Sequence, residues 1–115
     1  MKRALVVLLL LVPGTLAAAE DSAKRQVEFG IEVAQKGLWQ EARFRFERAV
    51  AIDPENASAL NNLAISLEQM GEFDKARESY EKALASKPGD LYIQQNYDLF
   101  READDKRNRK SRRRK

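Results

Sequence analysis

Large apolar, small and polar positions recur along this chain on a fixed beat. Ala23, Ile31, Gln35, Gly37, Ala42, Arg43, Glu47, Ala49, Ala51 and Pro54 reappear 34 residues later as Ala57, Ile65, Gln69, Gly71, Ala76, Arg77, Glu81, Ala83, Ala85 and Pro88. Similar residues also pair across the two copies: Phe29 with Leu63, Gly30 with Ala64, Trp39 with Phe73, Phe46 with Tyr80 and Val50 with Leu84. Self-similarity at a period of this size marks stacked supersecondary units. Residues 23–56 and 57–90 are therefore read as two copies of one unit.

The polar punctuation says what the unit is. Ser22, Asn56 and Asp90 keep the same interval, and each has a side-chain oxygen able to accept from the first free amides of a helix. Three helices are expected to start there. Gly37 and Gly71 follow about a helix-length later, where a left-handed residue can close the helix without a Cβ clash. Pro54 and Pro88 stop the second helix of each copy. Each copy is thus expected to be a helix, a tight turn and a second helix.

The small residues have a packing role on the same beat. Gly30 and Ala64 leave room on the first helix of each pair, and Ala42, Ala49, Ala76 and Ala83 on the second. Phe29, Trp39, Phe46, Leu60, Leu63, Leu67, Phe73 and Tyr80 are expected to fill that room. Neither pair can bury its apolar face alone, so stacking should create one continuous core. From Leu91 the pattern starts a third time and then departs: Asp98 stands for Ala64 and Arg101 for Leu67. Residues 91–105 are expected to form a capping helix, polar outside, with Ile93, Tyr97 and Phe100 at i, i+4 and i+7 toward the core.

These residues carry a family resemblance. The stretch ASALNNLAISLEQMGEFDKARESYEKALASKPGD, residues 57–90, resembles a tetratricopeptide repeat through Leu60, Leu63, Ala64, Leu67, Gly71, Phe73, Ala76, Tyr80, Ala83 and Pro88. Residues 23–56 are a weaker copy, with Gln26 and Val33 where larger apolar residues are expected. The resemblance implies an all-α fold, a short right-handed solenoid of two helical hairpins plus a cap. It also implies a non-enzymatic scaffold whose first helices line a concave groove for a peptide or partner helix. Transferred by position, the groove comprises Lys24, Val27, Glu28 and Ile31 from the first pair, and Ser58, Asn61, Asn62 and Ile65 from the second. The cap adds Tyr92, Gln95, Asn96 and Leu99. The aliphatic members could take apolar side chains, and the amides could bond an extended backbone; the plainer alternative is that Val27 and Ile31 pack on neighbours. Some members of the family clamp a C-terminal carboxylate with Lys, Arg and Asn side chains. Here only Asn62 fits, because Val27, Ile31, Gln95 and Leu99 stand where the other clamp residues would, so no clamp is expected.

Charge divides the chain unevenly. The net +3 is made of +2 in residues 1–19, −7 in residues 20–105 and +8 in residues 106–115. Lys106, Arg107, Arg109, Lys110, Arg112, Arg113, Arg114 and Lys115 lie in a stretch without apolar anchors, which is expected to be disordered. This tail is a candidate polyanion binder, toward an anionic membrane surface, an acidic protein or nucleic acid. Nucleic acid is disfavoured, because the acidic body repels a phosphate backbone. An electrostatic tether, with the repeats self-associating and the tail binding, is the alternative to the scaffold. Two repeats are few for independent stability, so a homodimer through the first helix is a further expectation.

At the other end, residues 1–19 read as an export signal: Lys2 and Arg3, an apolar run over residues 4–12, Pro13-Gly14, then Ala17-Ala18-Ala19 before Glu20. The apolar stretch falls short of the roughly 20 residues that span a bilayer. A periplasmic or secreted protein is expected; the alternative is an inner-membrane anchor that is not cleaved. With no cysteine there is neither a disulfide framework nor a lipidation site. With no histidine either, acid–base chemistry would fall to carboxylates. Glu41, Glu47, Glu72, Asp74, Glu78 and Glu81 lie among cations at helical spacing and read as solvated ion-pair faces. Asp104-Asp105 likewise reads as a solvated helix end. No enzyme activity, cofactor or metal site is expected.

Overall fold

The structure is a computed structural model and describes residues 13–115. The apolar run of the expected export signal lies outside the described residues. Within them the chain forms α1 (Pro13–Gln35), α2 (Trp39–Ile52), α3 (Ala57–Gln69), α4 (Phe73–Ser86) and α5 (Leu91–Arg113), and no strand. The connections are short, so consecutive helices run antiparallel. Helices α1, α3 and α5 therefore point one way, with α2 and α4 between them. The result is a short α-solenoid with a capping helix, 70 × 38 × 26 Å in extent.

The turn chemistry is that expected from the repeat. Gly37 and Gly71 adopt φ of 76° and 78°, a region open to glycine at little cost. Each closes its helix in the same way: the Gly37 amide donates to Ala34 O and the Leu38 amide to Val33 O, as Gly71 does to Glu68 O and Glu72 to Leu67 O. This paired pattern satisfies carbonyls that a helix end leaves free. Asn56 Oδ1 accepts from the Ala59 amide at 2.9 Å, and Asp90 Oδ1 from the Ile93 amide at 3.0 Å. Asp53 and Lys87, the residues before Pro54 and Pro88, leave the helix at φ −135°, as the proline ring requires of its predecessor.

Ser22 departs from this scheme. It lies inside α1 and does not begin it. Residues 15–35 contain neither proline nor an early glycine, and Ala17, Ala18 and Ala19 are the strongest helix formers. The helix therefore continues upstream through the expected cap and through the expected cleavage point before Glu20.

The interlock of small and large residues holds in the core. Ala42, Ala49, Ala76 and Ala83 have no exposed surface. Phe46 rests on the bare backbone of Gly30 so closely that a Cβ there would stand 2.9 Å from Cζ and nearer still to Cε1. Leu63 packs against the core of both hairpins, and Val50 also bridges two clusters, so the core is continuous along the stack. Phe29 is the exception among the expected fillers. It is 41% exposed, because unlike its counterpart Leu63 it has a hairpin on one side only; the Arg45 guanidinium covers it at 4.4 Å.

Helix α5 caps the stack through Ile93 and Phe100, both buried, with Tyr97 half-buried beside them. Tyr80, Tyr97 and Phe100 form one aromatic cluster with ring centroids 5.4–6.4 Å apart. On the outer face Asp98 accepts from Gln94 and Arg101, each at 3.0 Å. Around Asp98 that face satisfies its own polar groups.

Two expectations for this end are corrected. Residues 106–113 are not disordered: α5 runs on to Arg113. Nor is Asp104 a solvated helix end, since only 7% of it is exposed. It accepts from Arg77 at 2.6 Å and from Arg107 at 3.1 Å, and the Arg107 guanidinium lies 3.5 Å over the Phe73 ring. Those contacts, with Lys106 on Glu102 at 2.9 Å and cations at the favourable end of the helix dipole, extend the helix past Asp105.

Candidate protein-binding surface

Helices α1, α3 and α5 bring most of the expected groove residues to one face, with two losses. Val27 is buried in the core of the first hairpin, against the same cluster as Phe46 and Ala49. Asn61 is only 2% exposed, and its Oδ1 accepts from Asn96 Nδ2 at 3.2 Å. That bond joins α3 to α5, so the Asn61 amide holds the cap and does not face a ligand. Asn62 is half-buried and donates to the Ser58 carbonyl at 2.8 Å, leaving its oxygen free to accept.

The accessible remainder has an ordered composition. Lys24, Glu28, Ser58, Tyr92, Gln95 and Leu99 are exposed, and Ile31, Asn62, Ile65 and Asn96 are half-buried. Ile31 and Ile65 share a cleft of about 160 Å³ with Ala34, Gln35, Trp39 and Asn62, floored by Phe46. Its walls are mainly apolar and its size suits one aliphatic or aromatic side chain. Toward the N-terminal ends of α3 and α5 a second cleft of about 440 Å³, with polar side chains set among apolar surface, is lined by Asn56, Ser58, Lys87, Asp90, Tyr92 and Ile93. Ser58 and Ile65 mark the two clefts on α3, seven residues or roughly 10 Å apart at the helical rise. An extended peptide would cross that distance in about three residues.

The contribution of Trp39, Ala34 and Gln35 was not among the expected site residues. Trp39 was assigned to the core by its pairing with Phe73. It stands two residues past Gly37, as Phe73 stands two past Gly71, and its half-buried side chain lines the cleft.

The basic residues also divide. Arg107 is held by Asp104 and Phe73, whereas Arg109, Lys110, Arg112, Arg113, Arg114 and Lys115 are exposed. Lys106, Arg107, Arg109, Lys110 and Arg113 surround one cleft of about 460 Å³.

Titration at the cap is structural. Burial pushes the Asp104 carboxyl up, but the Arg77 and Arg107 bonds outweigh it and hold the group below its ordinary value. Burial, reinforced by Glu68, pushes the Tyr80 phenol up, so it stays protonated and donates to Glu68 at 2.9 Å. For a carboxyl depressed on folding, the stabilisation is complete above the unfolded pKa and is lost as pH falls through the lower folded pKa. Asp104→Asn is therefore expected to cost about 1–2 kcal/mol at pH 7, the buried-pair range discounted because both arginines are about a third exposed. It should also flatten the acid limb below pH 4. Thermal melts between pH 2 and pH 7 check both.

Among the described residues no helix is long and apolar enough to cross a membrane, and no group of His, Cys, Asp or Glu is placed to hold a metal ion.

A family model for the tetratricopeptide repeat matches residues 34–95. No curated protein matches the chain. Among solved structures, the crystal structure of the Sgt2 TPR domain from Aspergillus fumigatus aligns with a TM-score of 0.71 at 19% identity. The alignment covers 76% of this chain and 59% of that one, so the chain spans less than two thirds of that domain's length. At that identity the likeness is one of fold.

Proposed function

This chain belongs to the tetratricopeptide repeat family, and from that premise we propose that it is a non-enzymatic scaffold that holds a peptide or partner helix against the face of α1, α3 and α5. The observation that carries the reading is the pairing of the apolar Ile31/Ile65 cleft with the mixed cleft at Ser58 and Tyr92, both bordered by α3. An apolar anchor and a short polar run beside it suit an extended segment: the anchor supplies desolvation, and Asn62, Gln95 and Asn96 supply backbone bonds. Periplasmic or secreted placement is part of this proposal and rests on residues 1–19; an uncleaved anchor would hold the same surface at an inner membrane.

Leu99→Glu with Asn62→Glu tests the reading. Both positions are accessible, so the fold should survive, which circular dichroism verifies. The partner retained by the unmodified chain from an extract of its source cells should be lost by at least tenfold. The alternative tether, in which residues 106–115 recruit a polyanion and the repeats self-associate, gives the opposite pattern. There, glutamines at Lys110, Arg112, Arg113 and Arg114 abolish retention and the groove pair does not. Self-association through α1, where Phe29 is exposed, would appear as a concentration-dependent mass in sedimentation.

A further inference from the structure

A second surface lies at the edge formed by the hairpin turns and meets the groove at Trp39, which lines the clefts of both. Leu38, Phe44 and Met70 are exposed there, at 52%, 49% and 37%, around an open cleft of about 790 Å³ beside Trp39. In the next repeat the same three places hold Glu72, Glu78 and Asp104. A place that one repeat fills with a carboxylate does not need an apolar residue for the stack. Three apolar residues gathered there point to contact with something outside the chain.

The edge is continuous with the basic helix. Met70 lies in the α3–α4 turn, and three residues later the Phe73 ring lies under Arg107. Around and beyond it, Lys106, Arg109, Lys110 and Arg113 occupy i, i+3, i+4 and i+7 and so share one side of α5. Of the eight cations in residues 106–115, only Lys106 and Arg107 pair with carboxylates, Glu102 and Asp104, among the described residues. Like charges one turn apart oppose the helix they sit on, and an anion laid along them relieves that repulsion. The class of anion is narrowed by two facts. Residues 106–115 contain no apolar side chain, so this helix has no face to bury in a bilayer. The −7 body opposes a long phosphate backbone, whereas a short acidic segment can lay its carboxylates on the arm and bring only an apolar side chain to the body, where Glu41 also lines the cleft.

We propose that this turn edge binds an acidic segment of another protein, seating one aromatic or aliphatic side chain between Leu38, Phe44 and Met70 while its carboxylates pair with Lys106, Arg109, Lys110 and Arg113.

Fluorescence anisotropy on the full chain tests this with four probes. They are the peptide Glu-Glu-Phe-Glu-Glu-Leu-Glu-Glu, its counterpart with Ser for Phe and Leu, phosphatidylcholine vesicles containing phosphatidylglycerol, and a mixed-sequence DNA duplex. The first peptide is expected to bind at least tenfold tighter than the serine peptide. Glutamine at Lys106, Arg109, Lys110 and Arg113 should weaken it at least tenfold, as should raising the salt from 50 to 300 mM. Leu38→Ser with Met70→Ser should reduce it to the level of the serine peptide, and Ala85→Ser, at an exposed position of α4 outside both clefts, should leave it unchanged. Equal affinity for the two peptides, no binding of either, or tighter binding of the vesicles or the duplex would overturn the proposal. The comparison of the two peptides needs no variant, so a misfolded variant does not rescue it.

Discussion

Replacing Phe100 with alanine is expected to destabilise the protein by about 3–5 kcal/mol, the range for deleting a buried aromatic ring. Phe100 has no exposed surface and packs on Tyr80 and Tyr97, with the Arg77 guanidinium 5.4 Å from its ring. With Ile93, which packs on Ala83, the ring ties α4 to α5, and the Arg77–Asp104 bond joins the same two helices. Its loss should therefore free the cap before it disturbs the first hairpin, because in a stacked array each unit is stabilised mainly by its neighbours. In a domain of this size about 1 kcal/mol moves Tm by 4–8 °C, so the midpoint should fall by well over 10 °C. Hydrogen exchange should show protection lost first in α5 and α4 and last in α1 and α2. Uniform loss along the chain would mean the solenoid behaves as one indivisible unit.

The second large effect belongs to Gly30. Gly30→Ala adds a single methyl, yet that methyl would press into the Phe46 ring. The ring is confined among Ala42, Ala49 and Val27 and has little room to withdraw. Overpacking of this kind costs about 1–3 kcal/mol, although alanine is the better helix former by about 1 kcal/mol; the clash should win. The companion experiment is Gly30→Ala with Phe46→Leu, in which the smaller side chain makes room for the methyl. Denaturant melts of the single and double variants should show the alanine harmful beside Phe46 and harmless or helpful beside Leu. If alanine stabilises the protein with Phe46 present, the close approach of α1 and α2 is wrong.

Features set by local chemistry were legible in the sequence. The turns at Gly37 and Gly71, the caps at Asn56 and Asp90 and the stops before Pro54 and Pro88 each depend on a few consecutive residues, and the 34-residue repeat reads each of them twice. The Gly30 and Phe46 partnership was legible as a small-against-large rule, though its tightness was not. What escaped depends on partners distant in the chain. Asp104 looks solvated beside Asp105 until Arg77, from the preceding helix, reaches it. That pairing, with Arg107 on Phe73, turns an expected loose tail into about two further turns of helix. Asn61 looked like a ligand-facing amide, but how α5 leans on α3 decided that it meets Asn96. Val27 illustrates the limit of transfer by position: the register of the family was right, and yet at this place the first helix turns its valine inward.

The role of the concave face is tested most directly by placing a photo-crosslinking amino acid at Gln95 and Leu99 there, and at Glu78 and Ala85 on α4, in the full-length chain within its source cells. All four positions are exposed, so none of the substitutions should disturb the core. The account predicts a discrete protein adduct from Gln95 and Leu99 and none from Glu78 and Ala85. Adducts from α4 with none from α5 would contradict it.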